Sequence, residues 1–118
     1  MSEFPRIQTA IPQRRYHYGD YAVSVLGEIE SGDDHDYQFV AAFVLEGEAQ
    51  PKLFVVSERQ PPGQRQQGSH ALRVINSAMD EVMEIDSRWG RLDDFTAQAL
   101  EIGAQLLGLE QETPFALM

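Results

Sequence analysis

An α+β domain, built as a three-stranded antiparallel meander followed by an antiparallel two-helix hairpin (βββαα), is the fold class this chain predicts. Three observations lead there. Between residues 16 and 57, three stretches alternate or run apolar at the period of strands. From Ser69 to Leu109, apolar residues recur at spacings of three and four, the stripe of amphipathic helices. A polar connector from Gln60 to Gly68, rich in Gln, Pro and Gly, divides the two halves.

Residues 1–15 contain Pro5 and Pro12, which remove backbone donors and forbid a long helix, so they are predicted to be an extended arm with Phe4, Ile7 and Ile11 free to dock. The main domain spans 16–110. Its first strand, Tyr16 to Glu30, sets Tyr21, Val23, Val25, Gly27 and Ile29 on one face and Ala22, Ser24, Glu28 and Glu30 on the other. Ser31 to Asp36 are turn formers, and Tyr37 to Glu46 return antiparallel. Leu53 to Ser57 form the third strand. Ser69 is placed to cap a helix carrying Leu72, Ile75, Met79 and Val82, which ends near Ser87 before Gly90. The second helix carries Leu92, Phe95, Ala99, Ile102, Leu106 and Leu109, with Asp93 and Asp94 at its positive end. Residues 111–118 are an apolar-ended tail that docks on the body or serves as a tether.

At 118 residues the chain is expected to fold as one domain with a modest core. It has no cysteine, which excludes disulfides and thiolate metal sites and points weakly to the cytoplasm. The opening residues hold no apolar stretch of the kind a signal peptide needs, and no apolar run reaches membrane-spanning length. A formal net charge of -10 opposes nucleic-acid binding, since phosphate contacts draw on basic side chains. Nothing after Arg91 is basic, so the C-terminal quarter is uniformly negative.

The run Tyr37 to Leu45 is apolar on both faces at its middle, a pattern that belongs to a strand covered on both sides. With the helices on one face, Leu26, Val40, Ala42, Val44, Phe54 and Val56 would be left on the other. Leaving several such side chains wet forfeits several kcal/mol at about 25 cal/mol per Å². These six residues are therefore the expected interface, covered by the arm, the tail or a second copy, with self-association as a two-fold dimer the expected outcome.

Four constellations bear on chemistry. Asp33, Asp34, His35 and Asp36 cluster possible ligands but lack calcium-loop spacing, and turn chemistry alone selects them, so no metal is assigned. Gly63 to Gly68 have the glycine spacing of a phosphate loop without its Lys-Ser/Thr, which leaves at most a small-anion site at Arg65, Gly68 and Ser69, served by free amides at the start of a helix. His17 and Asp20 could pair as acid and base beside Tyr16, Tyr18 and Tyr21 only if Gly19 marks a bulge. Trp89, between Arg88 and Arg91, is expected to plug the end of the core. No catalytic residue and no cofactor is assigned.

In size, acidity and lack of cysteine the chain resembles the small dimeric secretion chaperones of bacteria, although those open with a helix and this chain opens with strands. The expected function is a small acidic homodimeric protein-binding module, adaptor or chaperone-like, without catalytic activity. The alternative is a small enzyme or a ligand- or anion-binding domain with a pocket between sheet and helices.

Overall fold

The computed structural model describes residues 4–117. Its strands are β1 (Ile7–Tyr18), β2 (Tyr21–Ser31), β3 (Tyr37–Leu45), β4 (Leu53–Arg59), β5 (His70–Ile75), β6 (Asp80–Ile85) and β7 (Phe115–Ala116); its one α-helix is α1 (Leu92–Leu107). Short 3-10 turns occupy Pro62–Gln64 and Ser87–Gly90. All seven strands join one sheet in the order β6-β5-β4-β3-β2-β1-β7, antiparallel throughout.

The predicted βββαα order is thus overturned at both ends. Of the residues read as an arm, 7–15 enter β1, because proline forbids a helix interior but not an irregular strand near a sheet edge, and 1–3 lie outside the described residues. Pro12, partnered with Leu26 of β2, lies beside a register shift in β1, and on the other flank of β1 the pairing with β7 reaches only Tyr16 and His17. Gly19, at φ +57°, opens the two-residue loop that joins Tyr18 to Tyr21, a position where glycine carries little strain. The expected first helix is instead the β5–β6 hairpin. Leu72 and Val74 pack into the α1-side core while Ile75 packs on the opposite face. The side chain of Asn76 closes the turn by accepting from the backbone N–H of Ala78 and of Met79, both at 2.8 Å.

The helix predicted from Leu92 is present. Asp93 and Asp94 occupy its first turn, and Gly108 ends it at φ +71° while the Leu109 N–H returns to the Ala104 carbonyl. Its buried stripe, Phe95, Ala99, Ile102 and Gly103, packs on β3 and β4. Gly103 permits the closest approach, since a Cβ there would lie 2.3 Å from Cε2 of Phe43. Trp89, 1% exposed, belongs to this core and fills its end.

Two bulges decide what the opposite face of the sheet carries. Between β1 and β2 the register slips beside Glu28, whose φ is +48°. Between β3 and β4, Tyr37 faces Glu58 and Phe39 faces Ser57, so Gln38 is the extra residue. Each bulge reverses the alternation. Ile29 and Tyr37, predicted to share a face with Val25 and Phe39, are thereby turned to the other side. There they join Val40, Phe54, Val56 and Ile75 in a second core with Phe4 and Ile7.

Candidate functional site

The N-terminal segment, the loop after β2 and the strands β3, β5 and β6 line a cleft of about 610 Å³ on the face opposite α1. Phe4, Ile75 and Met79 give it apolar walls; Tyr37, Arg73 and Asp80 give it polar ones. Its size is that of a ligand pocket. Its deeper polar groups are, however, occupied with one another. Arg73 donates through Nη1 to Glu58 and through Nε and Nη2 to Asp80, at 3.2 and 2.6 Å. Nδ1 of His35 lies 2.8 Å from Glu58 Oε2 and 3.0 Å from Arg73 Nη1. It can donate to the carboxylate or accept from the guanidinium, but not both.

Asp33 organises the rim. Its Oδ2 accepts from the Arg6 N–H at 3.0 Å and from the Tyr37 hydroxyl at 3.3 Å, while Oδ1 accepts from the His35 N–H at 3.1 Å. Burial pushes the Asp33 carboxyl up, but the hydrogen bonds from the Arg6 and His35 amides outweigh it and hold the group below the usual range. Tyr37 moves the other way, well above an ordinary phenol, first through burial and then through the neighbouring Asp33 charge. Burial also pushes Arg73 down, and its bonds to Glu58 and Asp80 more than reverse this. The network ties the 31–36 loop to β4, β5 and β6.

The outermost strand, β6, borders the cleft at Asp80 and Glu81. Its residues Asp80 to Glu84 are exposed, and only Ile85 is half-buried. Val82 and Met83 are 54% and 52% exposed. Register places Glu81 and Glu84 opposite Val74 and Leu72, on the α1 side, and Asp80 and Val82 opposite Ile75 and Arg73, on the cleft side; Met83 is the extra residue at a shift. At the other margin, β7 exposes Phe115 (67%), and Leu117 just after it is 59% exposed.

The residues singled out from the sequence are distributed as follows. Leu26, Val40, Ala42, Val44, Phe54 and Val56 do share the face opposite α1, as their register requires. Val40 and Val56 are 0% exposed within the single chain, and Phe54 is covered by Phe4. Only Leu26, Ala42 and Val44 stay half-buried. The chain's own N-terminal segment, one of the three covers named from the sequence beside the tail and a second copy, packs against the cluster of the other three.

Arg65, Gly68 and Ser69 precede a strand, not a helix, so no row of free helix amides stands beside them. Arg65 Nε donates to the Gln60 carbonyl at 3.0 Å, and Ser69 Oγ lies 2.7 Å from His70 Nδ1. The space beside Gly68 is filled by the backbone of Asp86, 2.6 Å from where a Cβ would sit. His17 and Asp20 are both exposed, with no hydrogen bond between them among the described residues. Tyr18 is buried in the core, with Tyr16 and Tyr21 packed against it. Asp20 and Tyr21 do border a second cleft of about 460 Å³, closed by Leu107, Leu109 and Glu112.

Among the described residues, no group of three or more His, Cys, Asp or Glu side chains is placed to hold a metal ion. No described helix is long and apolar enough to cross a membrane. Sequence reasoning missed the Glu58–Arg73–Asp80 chain because two of its members lay in a segment read as helix. The available signal was Asn76-Ser77, a turn-forming pair directly after the β-branched Val74-Ile75. Comparison with family models, with curated proteins and with solved structures finds no match.

Proposed function

We propose that this chain is a non-catalytic protein-binding module, adaptor or chaperone-like, that receives an extended segment of another polypeptide at the margin of its sheet. The observation that carries this is the β6 edge. An outermost strand of six residues presents two large apolar side chains, Val82 and Met83, each more than half exposed. An open edge strand offers unpaired backbone donors and acceptors, and strand addition is a recurring mode of peptide capture. The self-contained polar network of the cleft supports the non-catalytic part. The homodimer expected from the sequence is retained as a proposal with a smaller surface, Leu26, Ala42 and Val44, and light-scattering mass at low micromolar concentration tests it.

Panning a random peptide library against the full chain, with the Met83→Glu variant as counter-target, tests the module. Enriched peptides that bind the native chain about tenfold or more tightly than the variant support it. Enrichment of nothing, or only of peptides indifferent to the substitution, rules it out.

A further inference from the structure

We infer that the segment received by β6 carries Lys or Arg at alternate positions, on the α1 side of the sheet, with apolar residues between them. The inference rests on the protein-binding reading above and adds the chemistry of the partner. Residues directly opposite each other in an antiparallel pair share a face, so Glu81 and Glu84 project on the side of Val74 and Leu72, next to α1. A strand added outside β6 would set alternate side chains against those two carboxylates. Its intervening side chains would face Val82 on the cleft side. Met83, displaced by the bulge and 52% exposed, is an apolar contact at the end of the regular ladder, which runs from Asp80 to Val82.

Prior ion pairing does not exhaust these charges. Glu84 meets Arg88 at 3.0 Å, both about half exposed, and Asp80 is held by Arg73. Glu81 makes no ion pair among the described residues. A second copy is the poorer occupant. Two β6 strands paired about a two-fold axis between Val82 and Met83 would set Glu81 against Glu84 in both halves, and like charges directly opposite are destabilising. The carboxylates that disfavour self-pairing in that register would be matched by a strand of opposite charge. The net charge of -10 would steer such a segment toward the molecule.

The test uses the full, isotope-labelled chain and synthetic peptides of three kinds, each of about nine residues, a usual strand length with short flanks. One alternates Lys and Val, one alternates Glu and Val, and the third is the Lys–Val peptide N-methylated at alternate residues, prepared in both registers. The Lys–Val peptide should shift and protect the amides of residues 80–84. One N-methylated register should bind about tenfold or more weakly at unchanged charge, as loss of ladder hydrogen bonds requires. Glu81→Lys, on an exposed side chain, should weaken Lys–Val binding, and the Glu–Val peptide should not bind. Amide shifts centred outside β6, affinity indifferent to both methylation patterns, or equal binding of the Glu–Val peptide would each overturn the inference. Library peptides that depend on Met83 while the Lys–Val peptide fails would leave the module standing and remove only its charge specificity.

Discussion

The ring of Phe4 lies over that of Phe54, with centroids 5.2 Å apart and planes inclined at 58°, so a residue at the start of the described chain closes the face that no helix covers. Phe54 is left 7% exposed, and Val40 and Val56 beside it are fully buried.

Phe4→Ala should therefore reopen this face. We expect a loss of about 1–3 kcal/mol in urea denaturation, the range for removing much of an aromatic contact. Light scattering should also show a rise in apparent mass with concentration. A variant as stable and as monodisperse as the native chain would mean that Phe4 is not the cover.

Gly103→Ala weighs two opposed effects. Alanine gains up to about 1 kcal/mol of helix propensity over glycine. Its Cβ would lie 2.3 Å from Phe43 in a fully buried contact, and overpacking of this kind costs about 1–3 kcal/mol. The clash should win, and the melting temperature should fall. A rise would show that α1 can shift off β3 at little cost.

Arg73→Ala leaves Glu58 and Asp80 facing each other without their shared cation. The Arg73 side chain is only 13% exposed, against 33% for Asp80, so the loss should be about 2 kcal/mol, below that of a fully buried pair. Adding Glu58→Leu to Arg73→Met should recover part of it, because the apolar pair removes the more buried carboxylate and leaves only the more exposed Asp80 without its cation. A double variant no more stable than Arg73→Met alone would show that the stranded Glu58 charge is not what the loss of Arg73 costs.

Stability should depend on pH at both extremes. The folded Asp33 carboxyl titrates below its unfolded value of about 3.9, so the unfolded chain takes up the proton first. Its contribution is complete above that value and is lost as pH falls through the lower, folded one. Tyr37 has the opposite sign. Its folded phenol titrates above the unfolded value of about 10, so its contribution is complete below pH 10 and is lost as pH rises further. Asp33→Asn should flatten the acid limb and Tyr37→Phe the alkaline limb, each measured by denaturant midpoint against pH. Unchanged limbs would place the titrations elsewhere.

Part of this architecture was legible one segment at a time. Tyr21 to Ile29, Tyr37 to Leu45 and Leu53 to Val56 announce strands through their alternation, and Leu92 to Leu106 announce a helix because their stripe persists for several turns. The segment from Leu72 to Val82 was not legible, because its spacing of three, four and three is shared by a helix face and by two strands joined at a turn. Only pairing with β4 distinguishes them, and that pairing is not local. The two prolines of the N-terminal segment excluded a helix without revealing that β2 would accept it as a strand. The candidate site suffered most, since Tyr37 reaches the cleft only by way of a bulge.

The sequence by itself determined that this chain is acidic, free of cysteine, and greasy on both sides of its middle strand, because composition and a period of two need no knowledge of neighbours. Which material covers that strand's second side, where Tyr37 and Ile29 point, and that Val82 and Met83 end on an open margin were decided only by the tertiary structure. A single extra residue in a ladder reverses every side chain beyond it, and strand order is fixed by contacts between residues far apart in the chain.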